Sequence, residues 1–395
     1  MKQDSTPQES QHIASLQANH PKLPIERIET IALRVPLNKR YSGSAYSMVN
    51  RCTIITRLYT HDGLVGEVYT GDTDAEQESI VRIIHEELAP ALMGHDAMSP
   101  DRCWQAMQPA TYDILRDRGL ALQAIACLDT AIWDAFGKAV GLPLFRLWGA
   151  YRDTLPVIVI GGYYGLDRSQ IMEQMQQYKS MGFAGCKFKV GGASAQEDAE
   201  RVRAAREAVG DQFILLVDAN QGYIREQAVE FARRVADLSI RWFEEPCRWF
   251  NDRRWMRDVR YITGIAVAAG QSESTVAGVR DLIVDDAIDV CNFDSSWGGG
   301  PTVWRKIASL ATAFGIEMGH HEEPQVSAHL LASIPHGTYI ECFDPDRDPI
   351  FWNLFSNRPT FTDGMYAVPD KPGLGIELNT DYVERYCVEK RLTQK

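Results

Sequence analysis

Lys187 and Lys189 are spaced to act together, because an extended Lys-Phe-Lys segment puts both ammonium groups on one side of the chain. Two cations held that close disfavour double protonation, which moves a lysine toward the range of a general base. About one βα unit further on stands Asp218, and similar intervals separate Glu244, Gln271 with Glu273, Asp294, His321 and Glu341. Asp218 and Glu244 suit a hard divalent cation such as Mg2+, which takes carboxylate, water and substrate oxygens. Asp294 and His321 make an acid/base dyad in which the carboxylate orients the imidazole and stabilises its charged form. His320 faces the other way along an extended chain and reads as structural.

Each of these residues lies at the end of a short apolar run or just beyond it. Eight such runs occur, at 156–160, 185–190, 213–218, 240–244, 265–269, 288–293, 316–319 and 338–343. The stretches between them have helical spacing, as in Ile171, Met175 and Tyr178, or Val303, Ile307, Leu310 and Phe314. Strands alternating with helices imply right-handed βαβ units and a parallel sheet, and eight strands can close into a barrel. A doubly wound open sheet is the alternative. In a barrel the C-terminal strand ends converge on one mouth, so these residues would share one polar site.

The flanking regions follow a different pattern. Residues 1–24 are polar and weakly periodic, a flexible tail. Three β-rich runs follow at 28–35, 52–59 and 64–69, the last two separated by Asp62-Gly63, a hairpin signal. The polar segment 38–44 reads as a mobile loop. Ile125, Leu128, Ile132 and Phe136 share a helix face that stops at Gly141, with Pro143 just beyond. The division is therefore a 25–150 α+β domain, a 151–343 (β/α) barrel, and a 344–395 segment that returns to the first domain.

Over 395 residues, 53 acidic against 41 basic side chains give a net charge of −12, which opposes binding to nucleic acid or to an anionic membrane. An anionic substrate must then be drawn by local cations or a metal. The sequence has no apolar run of bilayer-spanning length and no secretory h-region near its start, so a cytoplasmic location is expected. Eight cysteines without a C-x-x-C pair suit buried reduced thiols.

The combination Lys187-Phe188-Lys189, Asp218-Ala219-Asn220, Phe243-Glu244-Glu245-Pro246, Asp294, His321, Ser327-Ala328-His329-Leu330-Leu331 and Glu341 resembles the enolase superfamily, in particular its mandelate racemase subgroup. The resemblance spans about residues 25–385. It implies an α/β fold, a modified TIM (β/α) barrel with an N-terminal α+β capping domain over the mouth. It also implies removal of the proton α to a carboxylate, with one Mg2+ per site offsetting the charge of the enediolate. By the same resemblance Lys189 is the base on one face and His321, oriented by Asp294, the acid or base on the other. Lys187 binds the substrate carboxylate and tunes Lys189, Glu341 donates to a carboxylate oxygen as a protonated acid, and Asn220 contacts substrate or a metal-bound water. Asp218 and Glu244 match the first two metal ligands. Where the family usually has a third carboxylate this chain has Gln271, and Glu273, two residues on, is the preferred ligand of the two. A capping loop with Arg40, Tyr41, Ser42 and Ser44 offers donors to hydroxyls or a distal carboxylate. The expected substrate is a small-molecule carboxylate, and the expected reaction is dehydration of an acid sugar to a 2-keto-3-deoxy acid. A racemase or epimerase of a 2-hydroxy acid is the alternative, and a non-catalytic sugar-acid sensor is the reading from another class. A homo-oligomer is expected.

Overall fold

The computed structural model describes residues 22–71 and 74–394. It opens with three antiparallel strands, β1 (Ile25–Ser42), β2 (Ser47–Thr60) and β3 (Val65–Thr70). Gly63 in the turn between β2 and β3 sits at φ 87°, a conformation that costs a residue with a Cβ. Pairing of β1 with β2 continues to Tyr41↔Met48 and Ser42↔Ser47. The expected loop at 38–44 is therefore mostly strand, and only a tip at 43–46 turns. Pairing with β2 outweighs the polar composition, and it sends Tyr41 into a buried cluster with Ile160, Tyr163 and Phe343. Residues 1–21 of the expected tail lie outside the described residues. Its last part is docked, with Leu23 buried and its N–H on Asp96 Oδ1 at 2.9 Å.

The helix Arg118–Val140 packs on this sheet. Its N-terminus is capped by the Asp117 side chain, and Gly141 ends it in the left-handed conformation, as the Gly-Pro signal predicts. By length and composition it resembles a membrane span, but 78% of its apolar window is buried inside the protein. Asp134 on this helix accepts from the N–H of Glu67 at 2.8 Å and of Leu374 at 2.7 Å, tying sheet, helix and C-terminal segment together.

Eight parallel strands follow: β4 (Thr154–Gly161), β5 (Gly185–Lys189), β6 (Ile214–Asp218), β7 (Phe243–Glu244), β8 (Val267–Ala269), β9 (Val290–Cys291), β10 (Glu317–Met318) and β11 (Ile340–Phe343). They pair in order from β4 to β10, and β11 pairs back onto β4. The seam between β10 and β11 is carried by the bridge Met318↔Gly337, which closes the barrel. Each strand falls at one of the eight apolar runs. Inside, Ile158, Leu216, Trp242, Ala268 and Val290 form a separate buried cluster.

The C-terminal segment does not simply return. A hairpin of β12 (Phe361–Thr362) and β13 (Met365–Ala367) pairs antiparallel with the start of β4, and the turn at 370–375 docks by Leu144 N–H on Gly373 O at 2.9 Å. Only then does β14 (Cys387–Gln394) add to β1. All eight cysteines are free thiols, buried except Cys387.

Candidate active site

Consecutive barrel strands deliver their last residues to one buried charge network. Lys187 Nζ, on β5, lies 2.7 Å from Glu244 Oε1, 2.7 Å from Glu341 Oε1 and 3.9 Å from Asp218 Oδ2. Lys189 Nζ lies 2.7 Å from Asp218 Oδ2 and 3.0 Å from Asn220 Oδ1. Glu244 also accepts from Asn292 Nδ2 at 3.0 Å and from Trp242 Nε1 at 3.1 Å. Burial pushes Glu244 up to about 7 despite Lys187, with Asp218 and Glu341 adding to the rise. Burial acts on Asp218 in the same sense, but Lys189 and Lys187 outweigh it and hold the carboxyl below its ordinary value.

The backbone carrying Lys189 is fixed from behind. Arg201, on the helix Ala195–Val209, donates to the Lys189 carbonyl at 3.0 Å and to that of Gly162 at 2.6 Å. The guanidinium is itself held by buried Asp198 at 2.7 Å. From the first sheet, the tip of the β1–β2 hairpin reaches the same place. Ser44 Oγ donates to the Asn220 carbonyl at 3.4 Å, and the Tyr46 ring centroid is 5.8 Å from Lys189 Nζ.

Across the mouth, His321 Nδ1 meets Asp294 Oδ2 at 2.9 Å. Asp294 is fixed by the Ser296 N–H and hydroxyl, both at 2.7 Å on Oδ1. Burial draws the His321 imidazole down, but Glu322 and Asp294 overcome it and push it up to about 9. His320 is buried and structural, as expected: Nε2 accepts from Ser295 N–H at 3.1 Å and Nδ1 meets the His321 carbonyl at 2.8 Å. Among the described residues, five of the nine non-glycine residues with positive φ, Asn220, Gln221, Glu245, Glu322 and Glu323, sit just beyond these strands. Strained backbone of this kind costs about 1–3 kcal/mol per residue and gathers at functional sites.

Comparison with known proteins agrees with this architecture. Residues 27–149 match the mandelate racemase / muconate lactonizing enzyme N-terminal domain, and residues 170–382 match the enolase C-terminal domain-like family. The chain belongs to the mandelate racemase / muconate lactonizing enzyme family. Among family members it is similar to a 3,6-anhydro-alpha-L-galactonate cycloisomerase of Streptomyces coelicolor, with 31% identity over 92% of this chain and 99% of the relative. An L-talarate/galactarate dehydratase of Salmonella typhimurium is 30% identical over 86% of this chain and 84% of its own. A family member from a marine actinobacterium, crystallised with magnesium, is 56% identical with a TM-score of 0.88, covering 93% of this chain and all of that one.

Set against the family's pattern, the structure brings together Lys187, Lys189, Asp218, Asn220, Glu244 and Glu341, with Asp294 and His321 opposite. Four expectations need correction. The lysine pair does not lower Lys189; burial does act that way, but the Asp218 carboxylate outweighs it and raises the ammonium well above its ordinary value. Glu341 does not stand as a donor: it accepts from Lys187, from Asn292 Nδ2 at 3.3 Å and from Glu322 N–H at 3.1 Å. Arg40 is exposed and spent on Ser47 Oγ at 2.9 Å, so it is not presented to a substrate, while Tyr41 is buried edge-on against Tyr163 and packs on Ile160 and Phe343 as part of the apolar contact between the first sheet and the barrel. Alternation along β1 puts the two on opposite faces.

The fourth concerns the third metal ligand. The Glu273 carboxylate lies over Gly278, where a Cβ would collide with it, and the charges that act on it are Asp252, Arg253 and Asp281 on the outer helices. Among the described residues no three His, Cys, Asp or Glu side chains gather as a metal group, so Glu273 does not complete Asp218 and Glu244. Gln271 fits better. It is buried, and its Oε1 has no hydrogen-bond partner among the described residues. Its loop is pinned by Glu245, whose Oε1 accepts from Gly270 N–H at 3.1 Å and Ser272 N–H at 3.4 Å. Two buried carboxylates at the ends of β6 and β7, with an unsatisfied amide oxygen just past the end of the next strand, β8, suit a hard divalent cation.

Some residues of the site went unread in the sequence. Asn292 and Trp242 each precede an expected site residue by two positions, a period-two signal for a shared inward face. Tyr46 and Arg51 carry no such local signal, since they reach the mouth only because the first sheet is laid across the barrel.

Proposed function

We propose that the protein is a Mg2+-dependent acid-sugar dehydratase that converts a polyhydroxy carboxylate to a 2-keto-3-deoxy acid. The observation that carries the reading is the pairing of two proton-transfer devices across one mouth: Lys189 on β5, and the Asp294–His321 dyad beyond β9 and β10. In this reading Asp218, Glu244 and Gln271 hold the Mg2+, which would supply positive charge to offset the charge that develops on the substrate carboxylate. A cavity of about 730 Å3 is lined by Gln271 and Trp297, and the Trp297 ring stands 5.1 Å from that of His321.

Lys187 holds the substrate carboxylate. Asp218, the counter-charge of Lys189, would be engaged by a bound cation; in its neutral amine form Lys189 removes the α-proton and becomes an ammonium. His321, charged near neutral pH because its value stands at about 9, gives its Nε2 proton to the β-hydroxyl. The C–O bond breaks, water leaves, and the resulting enol tautomerises to the keto acid. A racemase of this kind would use His321 as a base for one enantiomer, and the products distinguish that from elimination. The similar dehydratase supports the same reading.

The test is to incubate the Mg2+-loaded protein with aldonates, aldarates, tartrates and simple 2-hydroxy acids in heavy water, following keto-acid formation and α-deuterium uptake. Keto acid from a sugar acid is expected. Inversion with exchange and no keto acid would replace dehydration by racemisation, and no reaction with any compound would leave a sensor. Exhaustive chelation should abolish turnover, and Gln271→Ala should weaken Mg2+ binding by about tenfold or more while Glu273→Ala leaves it unchanged.

A further inference from the structure

Glu322 is a buried carboxylate for which neither metal holding nor proton abstraction has a use, yet it is aimed at the reacting ring. Its Oε1 lies 3.4 Å from His321 Nε2, while Asp294 Oδ2 takes Nδ1 of the same ring at 2.9 Å. The Asp294 contact is a hydrogen bond and the Glu322 contact an ion-pair approach, and a carboxylate beside each nitrogen favours the ring that carries protons on both. Adjacent residues in an extended chain point to opposite faces. Here Glu322 and Glu323 adopt φ of 52° and 51°, and that left-handed pair lets the Glu322 side chain fold back over its neighbour.

The Glu322 side chain is held by Arg51, and its backbone by contacts on either side. Its Oε2 is ion-paired with Arg51 Nη1 at 3.4 Å, and Arg51 Nη2 holds Asp348 Oδ2 at 3.2 Å. The backbone N–H of Glu322 is on Glu341 Oε2 at 3.1 Å, and Gly71 N–H at the end of β3 binds Glu323 Oε1 at 3.1 Å. Arg51 belongs to β2, so the first sheet fixes the orientation of a group in the barrel mouth. The other groups around His321 are the Lys187 ammonium, which opposes a charged ring, the His320 ring, kept below its ordinary value by burial, and the uncharged Trp297 ring at 5.1 Å. Glu322 and Asp294 are thus the groups that favour the imidazolium.

We propose that Glu322 is a positioning residue for His321, held by Arg51, that keeps the ring protonated on both nitrogens until a substrate hydroxyl takes its place at Nε2. It rests on the reading of His321 as the proton donor. The Nε2 proton then passes to the departing oxygen, the C–O electron pair leaves with the water, and the ring is left neutral.

The test uses the full-length, Mg2+-loaded protein with labelled histidine, the His321 signal being identified by its loss in His321→Asn. In Glu322→Gln the His321 titration midpoint should fall from about 9 by about one to two pH units. Keto-acid formation should begin to decline at a correspondingly lower pH, while α-deuterium exchange through Lys189 keeps its rate. Glu322→Asp, with the charge on a shorter arm, should recover part of the shift. If the Gln variant does not fold, Glu322→Ala is read the same way. A midpoint unchanged from the parent protein, or exchange and elimination falling together at an unaltered pH profile, would overturn the proposal. The midpoint is read without substrate, so a protein that dehydrates nothing would refute the proposed reaction and leave this result standing on its own.

Discussion

The floor of the barrel and its mouth are built on the same inward strand faces, two residues apart. Leu216 precedes Asp218 on β6, Trp242 precedes Glu244 at β7, and Val290 precedes Asn292 at β9. A step of about 7 Å along each strand therefore changes an apolar layer into a layer of polar and ionisable groups. Of the five buried floor side chains only Trp242 carries a polar atom, and its indole N–H is given to Glu244. The dry floor removes competing water from below, which strengthens the ion pairs above it and makes an unpaired charge there costly. The floor therefore carries stability, and the mouth carries chemistry at a cost in burial.

Substitutions on the two layers should separate these roles. Lys189→Ala should cut turnover by about 10^2- to 10^4-fold or more and abolish α-exchange, with circular dichroism still that of the folded protein. Leu216→Ala, two residues below Asp218, should cost about 2–5 kcal/mol in urea unfolding and leave turnover per folded molecule within a few-fold of the parent. If Leu216→Ala instead removes activity from folded protein, the layers are not independent.

The histidine at the mouth gives a smaller effect, read through pH. Its value is raised from 6.5 in the unfolded chain to about 9, so its ion pairs stabilise the fold fully below pH 6.5 and the contribution is lost as pH rises through 9. Urea midpoints measured from pH 6 to 10 should decline over that window, and His321→Asn should flatten the decline. The smallest effect is expected at the one polar link between the layers. Trp242→Phe removes a single donor from Glu244, leaving Lys187 and Asn292 in place, and should cost about 1–3 kcal/mol of stability with a modest loss of turnover.

The sequence by itself determined where the barrel strands lie and which residues stand at their ends, because both follow from local periodicity. Eight apolar runs with helical stretches between them admit few other folds, and Lys187, Lys189, Asp218, Glu244, Asp294, His321 and Glu341 were legible for that reason. The tertiary structure alone decided who partners whom. Lys187 meets Glu341 across 154 positions and Arg51 meets Glu322 across 271, contacts that exist only after the barrel closes and the first sheet is laid over it. Arg40 and Tyr41 were misread for the same reason in reverse: their polar composition suggested a loop, whereas pairing with β2 made a strand whose alternation exposes Arg40 and buries Tyr41 against Ile160, Tyr163 and Phe343. The choice between Gln271 and Glu273 was likewise beyond a period-two argument, since past the end of β8 the chain is a turn and side-chain direction is set by the contacts of Glu245 with the loop.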